Sequence, residues 1–565
     1  MDKMKKVQAL GNRITTTQEG GVAYANTFKE DVQEVFTLGL LNGNFYTSQE
    51  EALVHCRELF EKALEVCPDF ATKCAIYGST EANLKLIPTI WAVYVSTLDD
   101  KSLFKSAFPR IIRNFNMLYD FMEICRKGGI RKGLGRGIKK AINDKFIAML
   151  NEYHATRSKT MLSEIAKATR PDCKEEGFQK LMKYVSYGEL AFPRAIALKT
   201  VIASLEEGTY SVAMDMLVRE NNMQLEELKH ALKGLTAKDK ERFKELNKIK
   251  GTPFISGKEI EELIILEAKQ SKALSVEDKQ RLYATIYSRL SYTSLILNLV
   301  ALERVYATKS YLQNEYNRNR GTYIMQEKVT ETDIPDGVLE MVADRIADEK
   351  AYRKSHMLPF ALINAERMVV TPEFKNAIGK LLKIVAQNAF NIDPKKKLIV
   401  GVDTSGSMDS EVVPGLSNVR VASLFGAMVK KAHTDTKVCA IASFCKEVPV
   451  TKQEDVFAMS KKIQDTNVNH GTEFEKLMGE YDGEDYVVLI TDNQPADNLE
   501  ARWLRAKRPN GAKLIVWQVS MSGHKISKDK SVVYIQGYSD KLIGLIQNII
   551  EGKSNQTELI EAINL

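Results

Sequence analysis

The 565-residue sequence lacks several features that would assign it quickly. No stretch approaches the roughly 18 uninterrupted apolar residues that a membrane span needs. The best run, Ser294–Leu302, is short and contains Asn298. The first residues, MDKMKKVQALGNR, hold no apolar core of the kind a signal peptide carries, so a cytoplasmic location is expected. Cysteines are few and odd in number: 56, 67, 74, 125, 173, 439 and 445. No C-x-x-C pair occurs, which argues against zinc ribbons and against a disulfide framework. H-E-x-x-H, G-x-S-x-G and G-x-x-x-x-G-K-[ST] are all missing, so neither a zincin, a serine hydrolase nor a P-loop enzyme is expected.

What is present is the balance of a folded, multidomain chain. Hydrophobic residues make up 44% and charged residues 27%. The net charge of +7, from 80 basic and 73 acidic side chains, is mild for this size. Only local clustering could point to a polyanion.

Two regimes divide the chain. Up to about Asp393 the apolar pattern is helical and no strands are expected. In 50–66, Leu53, Cys56, Phe60, Ala63 and Leu64 fall on one stripe. Similar stripes recur near 84–97, 108–126, 134–150, 175–186, 191–205, 223–233, 279–305, 337–348 and 356–390. Helices joined by short turns suggest a helical-repeat array. From about Lys395, short β-branched runs at 397–402, 437–443, 485–490, 513–519 and 532–536 alternate with helical stretches. That alternation predicts a doubly wound parallel sheet covered on both faces, with functional groups just past the strand C-termini.

At those ends the residues are hard oxygen donors. Asp403-Thr404-Ser405-Gly406-Ser407 follows the first strand, Thr472 lies in the loop 469–472, and Asp492 follows the strand ending at Ile490. Two carboxylates and three hydroxyls suit Mg²⁺ or another divalent cation and are wrong for zinc. They leave a coordination position for a ligand carboxylate. A second cluster lies in the helical half. Residues 126–140, RKGGIRKGLGRGIKK, hold seven basic side chains, five glycines and no acid. Glycines let a phosphate approach the backbone closely, and Lys139 and Lys140 open a helix whose N-terminus favours an anion.

The C-terminal residues resemble the von Willebrand factor A domain with its metal-ion-dependent adhesion site. Asp403, Ser405, Ser407, Thr472 and Asp492 match the family's D-x-S-x-S, Thr, Asp pattern without a gap. The N-terminal half resembles the TROVE module of the Ro autoantigen family. Residues 19–53, 132–146 (KGLGRGIKKAINDKF), 291–302 (SYTSLILNLVAL) and 355–368 (SHMLPFALINAERM) carry that likeness, in the family's order. The family's His-Pro-Phe reads Leu358-Pro359-Phe360 in this chain.

The resemblance implies a flexible start (1–18), a ring of HEAT-like helical repeats over 19–394 with an insertion near 235–285, and an A domain over 395–565. It implies a monomeric, non-enzymatic RNA-binding protein. Such proteins hold single-stranded 3′ ends of misfolded non-coding RNA in a positive central hole and small structured Y-type RNAs outside. Bacterial relatives work with an exoribonuclease of the polynucleotide phosphorylase type. Carried over by position, Lys132, Arg136, Lys139, Lys140 and Arg157 are the expected RNA contacts. The alternative is an adhesion or assembly module in which the metal site captures an acidic protein ligand and the helices present it.

Overall fold

The computed structural model describes most of residues 13–39, 49–185, 290–317, 322–389 and 393–565; residues 1–12, 40–48, 318–321 and nearly all of 186–289 lie outside the described residues. The expected insertion near 235–285 and the stripes at 191–205 and 223–233 therefore fall outside them.

The N-terminal helices form where the sequence supplies caps. Phe28–Leu38 opens with a capping box, Thr27 accepting from Glu30 N while the Glu30 carboxylate accepts from Thr27 N, and it ends at Gly39 in the left-handed region. Asn114 caps Phe115–Lys127 by accepting from Met117 N at 3.0 Å. Pro68 and Pro359 stand in first turns, where a missing N–H costs nothing. The single stripe expected over 108–126 is two helices, Ser102–Ile111 and Phe115–Lys127, separated by extended Ile112 and the Asn114 cap. The stripe 356–390 likewise divides into Pro359–Met368 and Pro372–Ala389. From Phe28 to Thr169 these helices share one core. At its centre Phe36 stacks on Phe60 at 5.1 Å, and Trp91 donates to Thr72 Oγ1 at 3.0 Å.

The helical half also contains strands, contrary to expectation. β1 (Ile14–Thr16) and β2 (Val22–Ala25) form an antiparallel hairpin, so the expected flexible start is a strand from Ile14 onward. β3 (Ala307–Asn317) and β4 (Thr322–Thr332) form a second, longer hairpin. Its Tyr311, Leu312 and Met325 are exposed and, among its described side chains, Val329 alone is buried, too little to write an apolar alternation into the sequence.

The α/β half follows the expected plan. β5 (Leu398–Asp403), β8 (Thr436–Ile441), β10 (Tyr486–Thr491), β11 (Lys513–Gln518) and β13 (Val532–Gln536) run parallel, and β9 (Cys445–Glu447) adds an antiparallel edge; the order is β13-β11-β10-β5-β8-β9. Alternate strand residues feed two cores. Val400, Val402, Val488, Ile490 and Trp517 meet the helices Asn418–Ala432 and Lys541–Ile550, with Phe425 stacked on Trp517 at 4.3 Å. Ile399, Ile441, Val487, Leu489 and Val516 meet Phe474, Leu477, Leu499 and Trp503 on the opposite face. Gly401 belongs to that second face, and a Cβ there would strike Ile441 and Leu477. Two minor ribbons complete the strands: β6 (Glu411–Val413) with β7 (Leu416–Ser417), and β12 (His524–Lys525), which pairs antiparallel with β2.

The halves are not separate bodies. The first core cluster of the sheet extends without a break through Pro372–Ala389 to Tyr292–Val305, so the late helices of the helical half pack on the α/β half. The early helices reach it from the other end of the chain. β2 joins β12, and the terminal helix Gln556–Glu561 buries Ile560 in the N-terminal core. Both ends of the described helical array thus meet the same α/β domain.

Candidate functional site

The loops after β5 and β10 and the segment 470–473 converge at the C-terminal edge of the sheet, where parallel strands leave backbone groups and side chains pointing outward. Asp403 ends β5 and is fully buried; Ser405, Ser407, Thr472 and Asp492 are each no more than 5% exposed. Asp403 Oδ1 accepts from Ser405 N at 2.9 Å, Asp403 Oδ2 accepts from Thr491 Oγ1 at 2.7 Å, and the hydroxyls of Ser405 and Ser407 lie 3.2 Å apart. The 470–473 segment is fastened to its neighbours. Gly406 N donates to His470 O at 3.2 Å, Glu473 N to Ala442 O at 3.0 Å, and Ala496 N to Thr472 O at 2.6 Å. All five expected donors are therefore brought to one place.

Their electrostatics describe an uncompensated anionic pocket. Burial pushes the Asp403 carboxyl above its ordinary range. Burial, and then the charge of Asp403, push Asp492 up to about 7. Asp492 Oδ1 has no hydrogen-bond partner although the side chain is buried. An orphaned buried carboxylate oxygen is costly, and a cation bound among these oxygens would satisfy it and neutralise both acids. No group of three or more His, Cys, Asp or Glu side chains able to hold a metal occurs among the described residues. The set rests on hydroxyls beside two carboxylates, which fits a hard divalent ion.

Two further groups shape the site. The Thr491 hydroxyl orients Asp403 and accepts from Asn493 N at 2.9 Å. The Ser443 hydroxyl, just past β8, accepts from Gly471 N at 2.9 Å. Ser443 was readable only from its place beside the first strand's end.

The basic stretch is a loop, 128–135, between the helices Phe115–Lys127 and Arg136–Met149. Its seven cations do different things. Arg126 and Lys127 pair with Glu123. Arg131 is structural, donating to Ser96 Oγ at 2.7 Å, to Ser96 O at 3.0 Å and to Gly133 O at 2.8 Å. Lys140 pairs with Asp144 at 2.8 Å in an exposed i,i+4 bridge. Lys132, Arg136 and Lys139 are exposed and make no ion pair with a described residue. Gly129 and Gly133 take φ of +73° and +79°, which glycine alone adopts cheaply. Gly135 begins the helix without a side-chain cap. Arg136 and Lys139 then stand in the first turn, where the helix dipole disfavours cations by about 0.3–1 kcal/mol each and favours a bound anion. Of the expected RNA contacts, Lys132, Arg136, Lys139 and Lys140 lie along this one surface, and Arg157 lies outside the described residues.

Among the described residues no helix is long and apolar enough to cross a membrane. The sequence matches no protein-family model, and no curated protein matches it. In fold, the chain is similar to the crystal structure of the Deinococcus radiodurans Ro (RSR) protein. The two share 15% identity at a TM-score of 0.50, over 93% of this chain and all of the other. That likeness spans both halves in one arrangement and shows the bacterial Ro-like fold expected from the sequence.

Proposed function

We propose that this chain is a non-enzymatic RNA-binding protein. In this reading its helical array closes into a ring on the α/β domain. The ring holds single-stranded 3′ ends of misfolded non-coding RNA, and its outer surface binds small structured Y-type RNA. The observation that carries the reading is the surface formed by Lys132, Arg136 and Lys139. These are exposed cations, in no ion pair with a described residue, on the glycine-rich loop and the first turn of the uncapped helix that follows it. Such a surface binds phosphate rather than base edges. Its affinity is therefore sequence-tolerant and falls with salt. A ring admits a strand end and excludes a duplex, so the selection is for free ends. An exoribonuclease of the polynucleotide phosphorylase type is the partner this role implies.

The second half of the proposal concerns the sheet edge. Asp403, Ser405, Ser407, Thr472 and Asp492 would hold Mg²⁺ or a similar cation, supported by the orphaned Asp492 oxygen. When bound, the ion supplies an electrophilic position for a carboxylate. This chain's own residues supply orientation: Thr491 fixes Asp403, and Ser443 fixes the 470–473 segment. The site is read as ligand-binding. The complete oxygen set also supports the alternative, a module that captures an acidic protein partner.

The test is fluorescence anisotropy with a hairpin RNA carrying a single-stranded 3′ tail against its blunt counterpart, at two salt concentrations, with Mg²⁺ or EDTA. Tail-dependent, salt-sensitive binding that survives EDTA is expected. Absence of binding to either RNA would discard the RNA reading and leave the protein-capture module.

A further inference from the structure

The basic loop 128–135 contains Gly128, Gly129, Gly133 and Gly135 and has no regular secondary structure. Glycine loses more backbone freedom on ordering than any other residue, so such a loop stays fixed only where other groups hold it. Ile130 and Leu134 are partly buried and pack against the N-terminal core. Between them Arg131 is half-buried and turns its guanidinium inward. Its Nε donates to Gly133 O at 2.8 Å, and its Nη1 donates to Ser96 O at 3.0 Å and to Ser96 Oγ at 2.7 Å.

Ser96 is a firm anchor. It has no exposed surface and caps the C-terminus of the core helix Leu86–Val95. Its N–H donates to Ala92 O at 3.1 Å and its hydroxyl to Val93 O at 2.6 Å, while Lys101 Nζ donates to its carbonyl at 2.8 Å. A helix C-terminus carries partial negative charge and attracts a guanidinium. One planar fork thus does two things: Nε closes the loop on itself, and Nη1 ties the loop to the core. An ammonium, a single point of charge, cannot span both sets of acceptors. Lys132, Arg136 and Lys139 meanwhile are exposed. The loop therefore separates its cations by task, with Arg131 facing the protein and these three facing solvent.

We propose that Arg131 is the positioning residue of the RNA surface, acting through its bonds to Ser96 and Gly133 and touching no phosphate itself. It holds the loop so that Lys132, Arg136 and Lys139 keep a fixed spacing, and RNA binding does not bear the cost of ordering a glycine-rich segment. The inference rests on the RNA-binding reading above. It adds that affinity depends on a guanidinium whose charge is not part of the contact, and on a buried serine remote from the basic stretch in sequence. A phosphate contact at position 131 would be served by any cation and would be indifferent to Ser96. Positioning requires the fork and its acceptor.

The test uses the full chain and the hairpin RNA with a single-stranded 3′ tail. Wild type, Arg131→Lys, Ser96→Ala and the double variant are compared by fluorescence anisotropy in a salt series. Hydrogen exchange is followed without RNA in peptides covering 128–137. Arg131→Lys keeps the charge and loses the fork. It is expected to weaken RNA binding by at least about tenfold, the effect of leaving long side chains to be immobilised on binding. Its slope of log affinity against log salt should stay that of wild type, because no phosphate contact is removed. Ser96→Ala should weaken binding too, although it changes no charge. The double variant should bind no more weakly than Arg131→Lys, because both changes break one link. Loop exchange should quicken in all three variants. Wild-type RNA affinity in Arg131→Lys would overturn the assignment, and so would quickened loop exchange with RNA affinity unchanged. Failure of the wild-type chain to bind the tailed RNA would overturn the RNA-binding reading and this inference together. Matching circular dichroism and melting curves establish that the variants fold, and Ser96→Ala carries the test if Arg131→Lys does not.

Discussion

Gln556, in the terminal helix, pairs with the backbone of Gln536 on both sides: its Oε1 accepts from Gln536 N at 2.8 Å and its Nε2 donates to Gln536 O at 2.9 Å. A side-chain amide thereby takes the part of a neighbouring strand at the open edge of β13. It is fully buried, and its Nε2 also reaches Tyr77 Oη at 3.5 Å in the helix Pro68–Thr80. One side chain thus ties the sheet edge to the early helices. Gln536 continues the network, donating to Gln518 Oε1 and accepting from Thr37 Oγ1, each at 3.1 Å.

Gln556→Leu keeps the volume and removes both bonds. It leaves the Gln536 N–H and C=O without partners in a buried setting, at roughly 1–3 kcal/mol for each group. Urea denaturation should show a loss near the sum. A loss under about 0.5 kcal/mol would mean that water replaces the amide.

Ile560 is the apolar counterpart of that tie, with no exposed surface in the N-terminal core. Ile560→Ala should cost about 2–5 kcal/mol. Limited proteolysis should then cut first where the terminal helix leaves the helical half. An unchanged digestion pattern would show that the helix docks without it.

Glu34 predicts a pH dependence. Its buried carboxylate accepts from Ser522 N at 2.6 Å, Asn26 Nδ2 at 2.9 Å and Gly523 N at 3.2 Å. Burial outweighs these donors and raises its pKa from 4.5 to about 7. The folded state therefore holds a proton that the unfolded state has released between about pH 4.5 and 7. Stability from this group is complete below 4.5, falls as pH rises through that window, and is level above it. The loss is of the order of 3 kcal/mol. Glu34→Gln should remove this component, so the wild-type minus variant stability should slope downward from pH 5 to 7.5. A flat difference would place the Glu34 pKa at its ordinary value.

For RNA, the ion pairs divide the basic stretch into groups of unequal weight. Substituting Lys132, Arg136 and Lys139 together with alanine should reduce the slope of log affinity against log salt by about 0.7 for each phosphate no longer neutralised. Lys140→Ala should do less, because that ammonium already faces Asp144 at 2.8 Å. Equal effects from Lys140→Ala and Lys139→Ala, measured by anisotropy in a salt series, would contradict this ranking.

Under the proposed metal site, Mg²⁺ should raise the melting temperature of the wild-type chain and Asp403→Ala should abolish that rise, while tail-dependent RNA binding persists. Joint loss of RNA binding in a folded variant would merge the two sites into one.

Much of the α/β half was legible because burial on both faces writes continuous β-branched runs, as in Val400, Val488 and Val516. The five oxygen donors were legible because Asp403, Ser405, Ser407 and Asp492 each sit within a few residues of a strand end, and Thr472 in a short loop. β9 was not, being three residues long with its Lys446 and Glu447 exposed. The helix Val456–Gln464 was also missing from the expected elements, although Asp455 announces it by accepting from Phe457 N at 2.8 Å. The hairpin β3–β4 buries Val329 alone among its described side chains, too little to reveal it. The contacts that the β1–β2 turn and Glu34 make with the α/β half join residues more than 470 positions apart, and nothing local in either segment encodes the other.

That separation has a bearing on biosynthesis. Glu34 and Gln518 are hydrogen-bonded across 484 positions. At about 5–20 residues per second, a ribosome takes roughly 25–100 s to deliver the second after the first. During that interval the opening helix exposes a carboxylate and an apolar face meant for a domain that does not yet exist. Folding of the early helices is therefore provisional until translation is nearly finished. The seam between the opening helix and the α/β half can therefore close only once nearly the whole chain has been made.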